Sequence, residues 1–130
     1  NEVRLILWTA SVEIGTAQPF GLGLGGLEPA LSQKLIAWGY PEQAKKEFNP
    51  HNQFLQIWNE IGYIGVLIFL GLLIFINQAF YNKRQLSGLL LSLVFIVFCL
   101  FESILQRESG IVFFLCWFTA LSYWPKNATT

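Results

Sequence analysis

Apolar and polar residues are unevenly distributed along this chain. Residues 1–50 mix the two, whereas three almost continuously apolar segments follow at 61–81, 86–101 and 110–124. A helix needs about 20 apolar residues to cross a bilayer, so the first segment is long enough by itself. The two shorter segments are expected to extend into their polar flanks. The pattern therefore predicts a transmembrane region at 51–125 with about three transmembrane helices.

Residues 1–50 are predicted to form an extracytoplasmic loop with short amphipathic helices. In the stretch 3–14, Arg4, Trp8 and Ser11 share one face at helical spacing. A second helix is predicted at 29–38, and such helices commonly lie at a membrane surface.

A glycine-rich turn at 18–26 separates these two helices, and 42–47 is a charged loop or short helix. The glycines are open to two interpretations, a flexible or tightly packed loop and a phosphate-binding loop. No Gly-Lys-Ser/Thr sequence follows, which favours the first interpretation.

The stretch 49–65 joins the polar part to the apolar part and holds the single histidine, His51. Asn49 is a favourable N-cap and Pro50 suits the first helical position, so a helix is predicted to start there and to continue to Tyr81. His51 and Asn52 then lie in its first turn.

One face of this predicted helix carries His51 together with two glycines, Gly62 and Gly65. Small residues about one turn apart leave a groove in which another helix can approach closely. We therefore expect a second helix to pack against this face.

The connection between the first two apolar segments contains Lys83 and Arg84. Positively charged connections favour the cytoplasm, which places His51 and the connection 102–108 on the outer side. The tail 126–130 is then cytoplasmic, and the glycosylation sequon at 127–129 is dismissed because it lies on that side. Because the chain opens within an amphipathic stretch, we expect an all-α integral membrane protein fragment, the C-terminal piece of a longer protein.

The composition fits a membrane protein and excludes other classes. Of the 130 residues, 54% are hydrophobic and 12% are charged, and the formal net charge is zero, so no basic surface indicates nucleic acid binding. The chain has no aspartate, which argues against a divalent metal site. Cys99 and Cys116 lie within apolar segments and are interpreted as packing residues rather than as a disulfide or metal pair. No metal and no cofactor are therefore predicted.

His51 is the main candidate for chemistry, although a lone histidine is more often structural. Its predicted place at a helix N-terminus favours a neutral imidazole, which can act as a general base. The same terminus, with free amide N–H groups, suits a phosphate or pyrophosphate. Arg4 and Arg107 are candidate charge partners for that anion. These features fit transfer from a lipid-linked phosphate donor to a hydroxyl acceptor.

Three charged residues at the edges of apolar segments, Glu102, Arg107 and Glu108, are open to two interpretations. They either pair with one another, because unpaired charges there are unfavourable, or help to line a site. Glu60 falls on the opposite face of the predicted helix from His51. We expect Glu60 to pack against another helix or against a part of the protein outside this chain.

The spacing of His51-Asn52, nine residues and then Gly62-x-x-Gly65 resembles the signature of the O-antigen ligase family. This family also includes O-antigen polymerases and bacterial protein O-oligosaccharyltransferases. Upstream, an Arg4-x-x-x-Trp motif and the glycine-rich turn look like the family's large periplasmic loop.

The resemblance implies a metal-independent glycosyltransferase of the bacterial inner (cytoplasmic) membrane, with its active site facing the periplasm. It would move a glycan from undecaprenyl pyrophosphate to an acceptor hydroxyl, with inversion at the anomeric carbon. His51 matches the histidine thought to activate the acceptor, and Arg4 matches the loop arginine thought to hold the pyrophosphate. Asn52, beside His51, and Arg107 are further candidates for substrate binding. The family has more spans than this chain, so the isolated fragment is expected to be inactive.

The acceptor decides the subclass, and the sequence leaves it open. A lipid A core sugar defines a ligase, a growing glycan a polymerase, and a protein Ser or Thr an O-oligosaccharyltransferase; ligation and polymerisation are ranked first. Two other hypotheses are a transport module and a non-catalytic assembly module in which His51 is incidental. A transport path is disfavoured, because the apolar segments carry almost no polar residues apart from Asn77 and Gln78 near one end.

Overall fold

The computed structural model describes residues 2–45 and 49–123. These residues form seven α-helices and one 3-10 turn, with no β-strand among them, which confirms the predicted all-α class. The elements are α1 (Glu2–Ala17), α2 (Leu27–Ala37), α3 (Pro41–Ala44), α4 (Gln53–Ile61), α5 (Tyr63–Asn82), α6 (Leu86–Phe101), the 3-10 turn (Ile104–Gln106) and α7 (Glu108–Tyr123). The predicted cytoplasmic tail and the sequon lie outside the described residues.

Helices α1 and α2 correspond to the two predicted amphipathic helices, and α3 is the short helix allowed within the charged stretch. Two small clusters of buried apolar side chains hold the three together: Ala10, Ile14, Leu27 and Leu31 in one, and Leu7, Leu35 and Ala44 in the other. Lys34 also pairs with Glu13 at 2.6 Å. Because exposed ion pairs stabilise little, the apolar clusters are the main contacts that fix α1 against α2.

The prediction of one continuous helix from Asn49 to Tyr81 is wrong in two places. The first helix starts at Gln53, with Asn52 as its N-cap. It then ends at Gly62, whose backbone has φ 87° and ψ −177°, a conformation that is essentially restricted to glycine. The glycine turns the chain, and α5 begins at the next residue.

The loop after α1 fills the groove at Gly62 where a second helix was expected. Three backbone hydrogen bonds join this loop to the α4–α5 junction: Leu22 N to Asn59 O (2.8 Å), Gly23 N to Glu60 O (2.9 Å) and Tyr63 N to Pro19 O (3.0 Å). A Cβ atom at Gly62 would lie 2.5 Å from the carbonyl carbon of Phe20, and one at Gly21 would lie 2.5 Å from the carbonyl oxygen of Glu60. The glycine-rich turn is therefore tightly packed at Gly21, while Gly23 and Gly25 have open space beside them.

Helices α5, α6 and α7 occupy the three apolar segments and share one core. Its buried side chains are Ile57, Phe69, Leu73, Phe80, Phe95, Cys99 and Phe118. Within the described residues, α5 is the one helix that is long and apolar enough to cross a membrane by its length and composition. Helices α6 and α7 have 16 residues each, so the three predicted spans stay a prediction.

The polar groups inside this bundle bond to one another. Asn77 donates hydrogen bonds to the Leu73 carbonyl at 2.8 Å and to the Ser92 hydroxyl at 2.7 Å. Cys99 is a buried free thiol in the core, in agreement with its interpretation as a packing residue, whereas Cys116 is a free thiol that is exposed. The side-chain nitrogen of Asn77 thus ties α5 to α6 through its hydrogen bond to Ser92.

Candidate functional site

His51 lies immediately before α4, not in its first turn, which corrects the sequence-based prediction. Its backbone φ is 47°, in the left-handed region that residues other than glycine adopt uncommonly. The side-chain oxygen of Asn49 accepts a hydrogen bond from the His51 N–H at 2.9 Å. Such a local turn competes with helix formation, so Asn49 shapes the approach to the helix while a later residue caps it.

Asn52 is the N-cap of α4, and both the oxygen and the nitrogen of its side-chain amide form hydrogen bonds. The side-chain oxygen accepts hydrogen bonds from the N–H groups of Phe54 and Leu55, each at 3.0 Å. The side-chain nitrogen donates to the carbonyl of Leu100 at 3.1 Å. The expected free amide N–H groups are therefore partly occupied, which corrects the idea of an open anion site at this helix end. A role for Asn52 in substrate binding stays a prediction.

The imidazole of His51 faces a carboxylate. Its Nδ1 lies 3.1 Å from Oε2 of Glu102, and both side chains are partly buried, with 29% and 42% of their surfaces exposed. Because an ionised carboxylate only accepts hydrogen bonds, Nδ1 must carry the proton in this pair. In the neutral ring the other nitrogen, Nε2, is then free to accept a proton.

Two neighbours reinforce this arrangement. Gln53 accepts a hydrogen bond from the Leu105 N–H at 2.8 Å, next to the bond of Asn52 to Leu100. Three consecutive residues, 51 to 53, therefore bond to the segment that ends α6 and forms the 3-10 turn. The position of the histidine ring is fixed from that side.

Helix α1 contacts the stretch from Pro50 to Trp58, which contains His51, from another side. Trp8 Nε1 donates a hydrogen bond to the Pro50 carbonyl at 2.7 Å. Further along, a Cβ atom at Gly15 would lie 2.9 Å from the ring of Trp58. The later residue of α1, Gly15, contacts the later residue of the second segment, Trp58. Helices α1 and α4 therefore run side by side in the same direction.

Arg4 lies one turn before Trp8 on the same face of α1, as predicted, and it is exposed. One helical turn corresponds to about 5.4 Å along the axis. Because Trp8 contacts Pro50, Arg4 extends past the start of α4, on the side where the chain enters His51. Its guanidinium has no hydrogen bond or ion pair with any other described residue.

The connection from α6 to α7 carries the other predicted charges. Arg107 is exposed and borders a cleft of about 300 Å³ that is also lined by Glu102. In the part of the chain that the structure describes, neither Glu102 nor Glu108 forms an ion pair with Arg107. Of the two interpretations given to these charges, mutual pairing is wrong, and Glu102 faces His51.

Glu60 does not contact the histidine. Its side-chain oxygen accepts a hydrogen bond from the N–H of Gly25 at 3.0 Å. The prediction that it points away from His51 is confirmed, while the expected helix partner is replaced by the glycine-rich loop.

The fold and the site define an α-helical chain with one histidine–carboxylate pair at the end of an apolar bundle. The family model described as O-antigen ligase matches residues 1–70, over half of the 130 residues. The chain belongs to the O-antigen ligase family, which is membrane-associated and whose members are glycosyltransferase-like enzymes. No curated protein and no solved structure matches the chain.

The matched segment contains Arg4 and the His51 motif but ends before the α6–α7 connection. The roles of Glu102 and Arg107 therefore rest on geometry alone. Sequence reasoning missed the pairing of Glu102 with His51 and the contact of Gln53. The available signal was a lone acidic residue at the end of an apolar segment, on the same predicted side as the histidine.

Proposed function

We propose that this chain forms part of a metal-independent membrane glycosyltransferase that moves a glycan from undecaprenyl pyrophosphate to an acceptor hydroxyl. The observation that carries the proposal is the hydrogen bond between His51 Nδ1 and Glu102. A histidine whose Nδ1 donates to a carboxylate is oriented and keeps Nε2 available as a base, which is the arrangement that hydroxyl activation needs.

In the proposed reaction, Nε2 of His51 accepts the proton of the acceptor hydroxyl. The hydroxyl oxygen forms a bond to the anomeric carbon, and the bond from that carbon to the pyrophosphate oxygen breaks. The pyrophosphate leaves with the electron pair, and attack from the opposite face inverts the anomeric centre. Glu102 stabilises the imidazolium that forms and holds the ring in one tautomer.

Arg4 is proposed to hold the donor pyrophosphate. Its guanidinium is exposed and has no partner among the described residues, and α1 carries it to the side on which His51 is approached. A guanidinium can bind two phosphate oxygens at once, which makes it well suited to a pyrophosphate. Arg107, the second arginine predicted for the anion, borders the cleft that Glu102 also lines.

We place the reaction at the periplasmic face of the bacterial inner membrane. Helices α5, α6 and α7 are proposed to cross the bilayer, and their many exposed apolar side chains, such as Ile68, Ile74, Phe75 and Leu115, support contact with lipid. Lys83 and Arg84 then mark the cytoplasmic side. Because α5 and α6 are joined by a short connection, the start of α5 and the end of α6 share the opposite side, where His51 and Glu102 meet.

The test replaces the pair in the full-length protein and measures glycan transfer at matched protein level. His51→Ala and His51→Gln are expected to lower the rate by on the order of 10²–10⁴, because neither side chain can take a proton at neutral pH. Glu102→Gln is expected to lower kcat on the order of tenfold or more, since an amide no longer favours the required tautomer. A lipopolysaccharide gel run beside a glycoprotein stain reports both the transfer and the acceptor class.

Glu108→Gln is the matched control, because it is the same substitution in the same connection without contact to the histidine. The double variant His51→Ala/Glu102→Gln should be no slower than His51→Ala alone, since a residue that acts through the histidine loses its effect when the histidine is gone. Near-normal transfer by His51→Ala would make this histidine structural and would remove the catalytic proposal.

A further inference from the structure

A cleft of about 300 Å³ opens between the end of α6 and the start of α7. Its lining includes Glu102, Ser103 and Arg107 on the connection and the rings of Phe98 and Phe113 on the two helices. Since Glu102 also bonds to His51, the cleft adjoins the proposed catalytic pair.

Two polar groups of this cleft lack partners. Ser103 is only 3% exposed, and its hydroxyl has no hydrogen-bond partner in the part of the chain that the structure describes. The Arg107 guanidinium is exposed and likewise has no side-chain partner there. Buried polar groups are nearly always hydrogen-bonded in folded proteins, so the Ser103 hydroxyl is a hydrogen-bonding group that a molecule bound in the cleft could satisfy.

The charge and shape of the cleft indicate a neutral, hydroxyl-rich ligand. Glu102 and Arg107 carry opposite charges, so the lining has no net charge to attract an anion. A phosphate bound here would also lie near the Glu102 carboxylate and be repelled by it. The two phenylalanine rings provide apolar walls, while Ser103 and Arg107 offer hydrogen bonds, which is the combination that ligand sites commonly show. A sugar ring, with its apolar face and its edge of hydroxyls, fits both parts.

We propose that this cleft binds the acceptor sugar of the transfer reaction, an inference that rests on the function proposed above. It assigns Arg107 to the acceptor sugar, whereas the sequence pattern predicts that Arg107 binds the donor pyrophosphate. It also favours a glycan acceptor over a protein Ser or Thr. The Glu102 carboxylate then orients His51 on one side and borders the acceptor on the other.

The first experiment measures binding without catalysis. Methyl glucoside, methyl galactoside and a short serine-containing peptide are titrated onto the full-length protein in lipid nanodiscs, with saturation-transfer NMR as the readout. We expect a glycoside to bind, and Arg107→Gln and Ser103→Ala each to weaken it about tenfold, the effect of losing one good hydrogen bond. Gln106→Ala is the matched control, because Gln106 is exposed on the same turn and does not line the cleft.

The second experiment separates acceptor from donor by steady-state kinetics. Arg107→Gln should raise the KM for the acceptor about tenfold and leave the KM for the lipid-linked donor unchanged. A raised donor KM with an unchanged acceptor KM, or peptide binding that depends on Ser103, would overturn the proposal. His51→Ala serves as the reference, because it should abolish transfer and retain glycoside binding. If His51→Ala still transfers glycan, the catalytic proposal fails while the binding data continue to decide the cleft.

Discussion

Replacing Gly62 by alanine tests whether the glycine-rich loop docks at the α4–α5 junction. This glycine has φ 87° and ψ −177°, and a Cβ atom there would lie 2.5 Å from the carbonyl carbon of Phe20. Alanine must therefore adopt a strained backbone and push against a main-chain atom that no rotamer change can move. We expect the loop to leave its place at the end of α4.

The size of the effect follows from these two contributions. Backbone strain of this kind costs about 1–3 kcal/mol. Displacing the loop also breaks up to three backbone hydrogen bonds, those of Leu22, Gly23 and Tyr63, each contributing about 1 kcal/mol net. If all three bonds are lost, the free energy of unfolding should fall by roughly 4–6 kcal/mol in total.

Substitutions at two other glycines serve as controls that separate the cost of backbone strain from the cost of a steric clash. Gly39 has φ 83°, but no atom lies within 4 Å of the position that a Cβ atom would take, so Gly39→Ala should cost only the strain, about 1–2 kcal/mol. Gly71 lies within α5 with an ordinary helical backbone and nothing within 4 Å of such a Cβ atom, so Gly71→Ala should be neutral or stabilise by about 0.5–1 kcal/mol.

The assay combines the melting temperature in detergent with the rate of chymotrypsin cleavage in the loop, which carries Phe20, Leu22 and Leu24. Gly62→Ala should melt lowest of the three variants and be the one cleaved much faster than the wild type. If Gly62→Ala is no less stable than Gly39→Ala, and its loop is no more accessible to protease, the loop does not dock at Gly62.

Two further predictions address the donor site and the topology. Arg4→Lys should raise the KM for the lipid-linked donor, because lysine keeps the charge but loses the two-pronged contact; Arg84→Lys is the control, and unchanged donor kinetics would remove Arg4 from the site. In a background without Cys99 and Cys116, a cysteine at position 106 should react with a membrane-impermeant thiol reagent in intact spheroplasts and one at position 85 should not, whereas the reverse pattern would invert the proposed orientation.

The sequence predicts the helices best where polar residues flank a long apolar run. Both ends of α6 agree with the predicted 86–101, because Gln85 and Glu102 bound an uninterrupted apolar segment. The predicted start of α4 is wrong by several residues, because Asn49 and Asn52 are equally good N-caps by residue type. The bond from Asn52 to the Leu100 carbonyl distinguishes them, and a contact between residues so far apart is not visible in a local pattern.

The candidate site can be predicted only in part, because some of its residues belong to local motifs and others meet through contacts between distant parts of the chain. His51 and Arg4 belong to local motifs, so the sequence indicates both. The partner of His51 is 51 residues away, and the topology argument places Glu102 only on the same side of the membrane. Which acidic residue faces the ring depends on how α6 packs against α4, and hydrophobic periodicity does not encode that register.

The hydrogen bonds of residues 51 to 53 also have a consequence for the order of assembly. Their partners are 48 to 52 residues further along the chain, and contacts over such separations form late in folding because a long loop must close first. During synthesis α4 and α5 emerge before α6. A nascent chain therefore carries the histidine but lacks the carboxylate that orients it, and the proposed base gains this partner only when α6 has docked against α4. In the proposed mechanism, catalytic competence is thereby coupled to completion of the bundle.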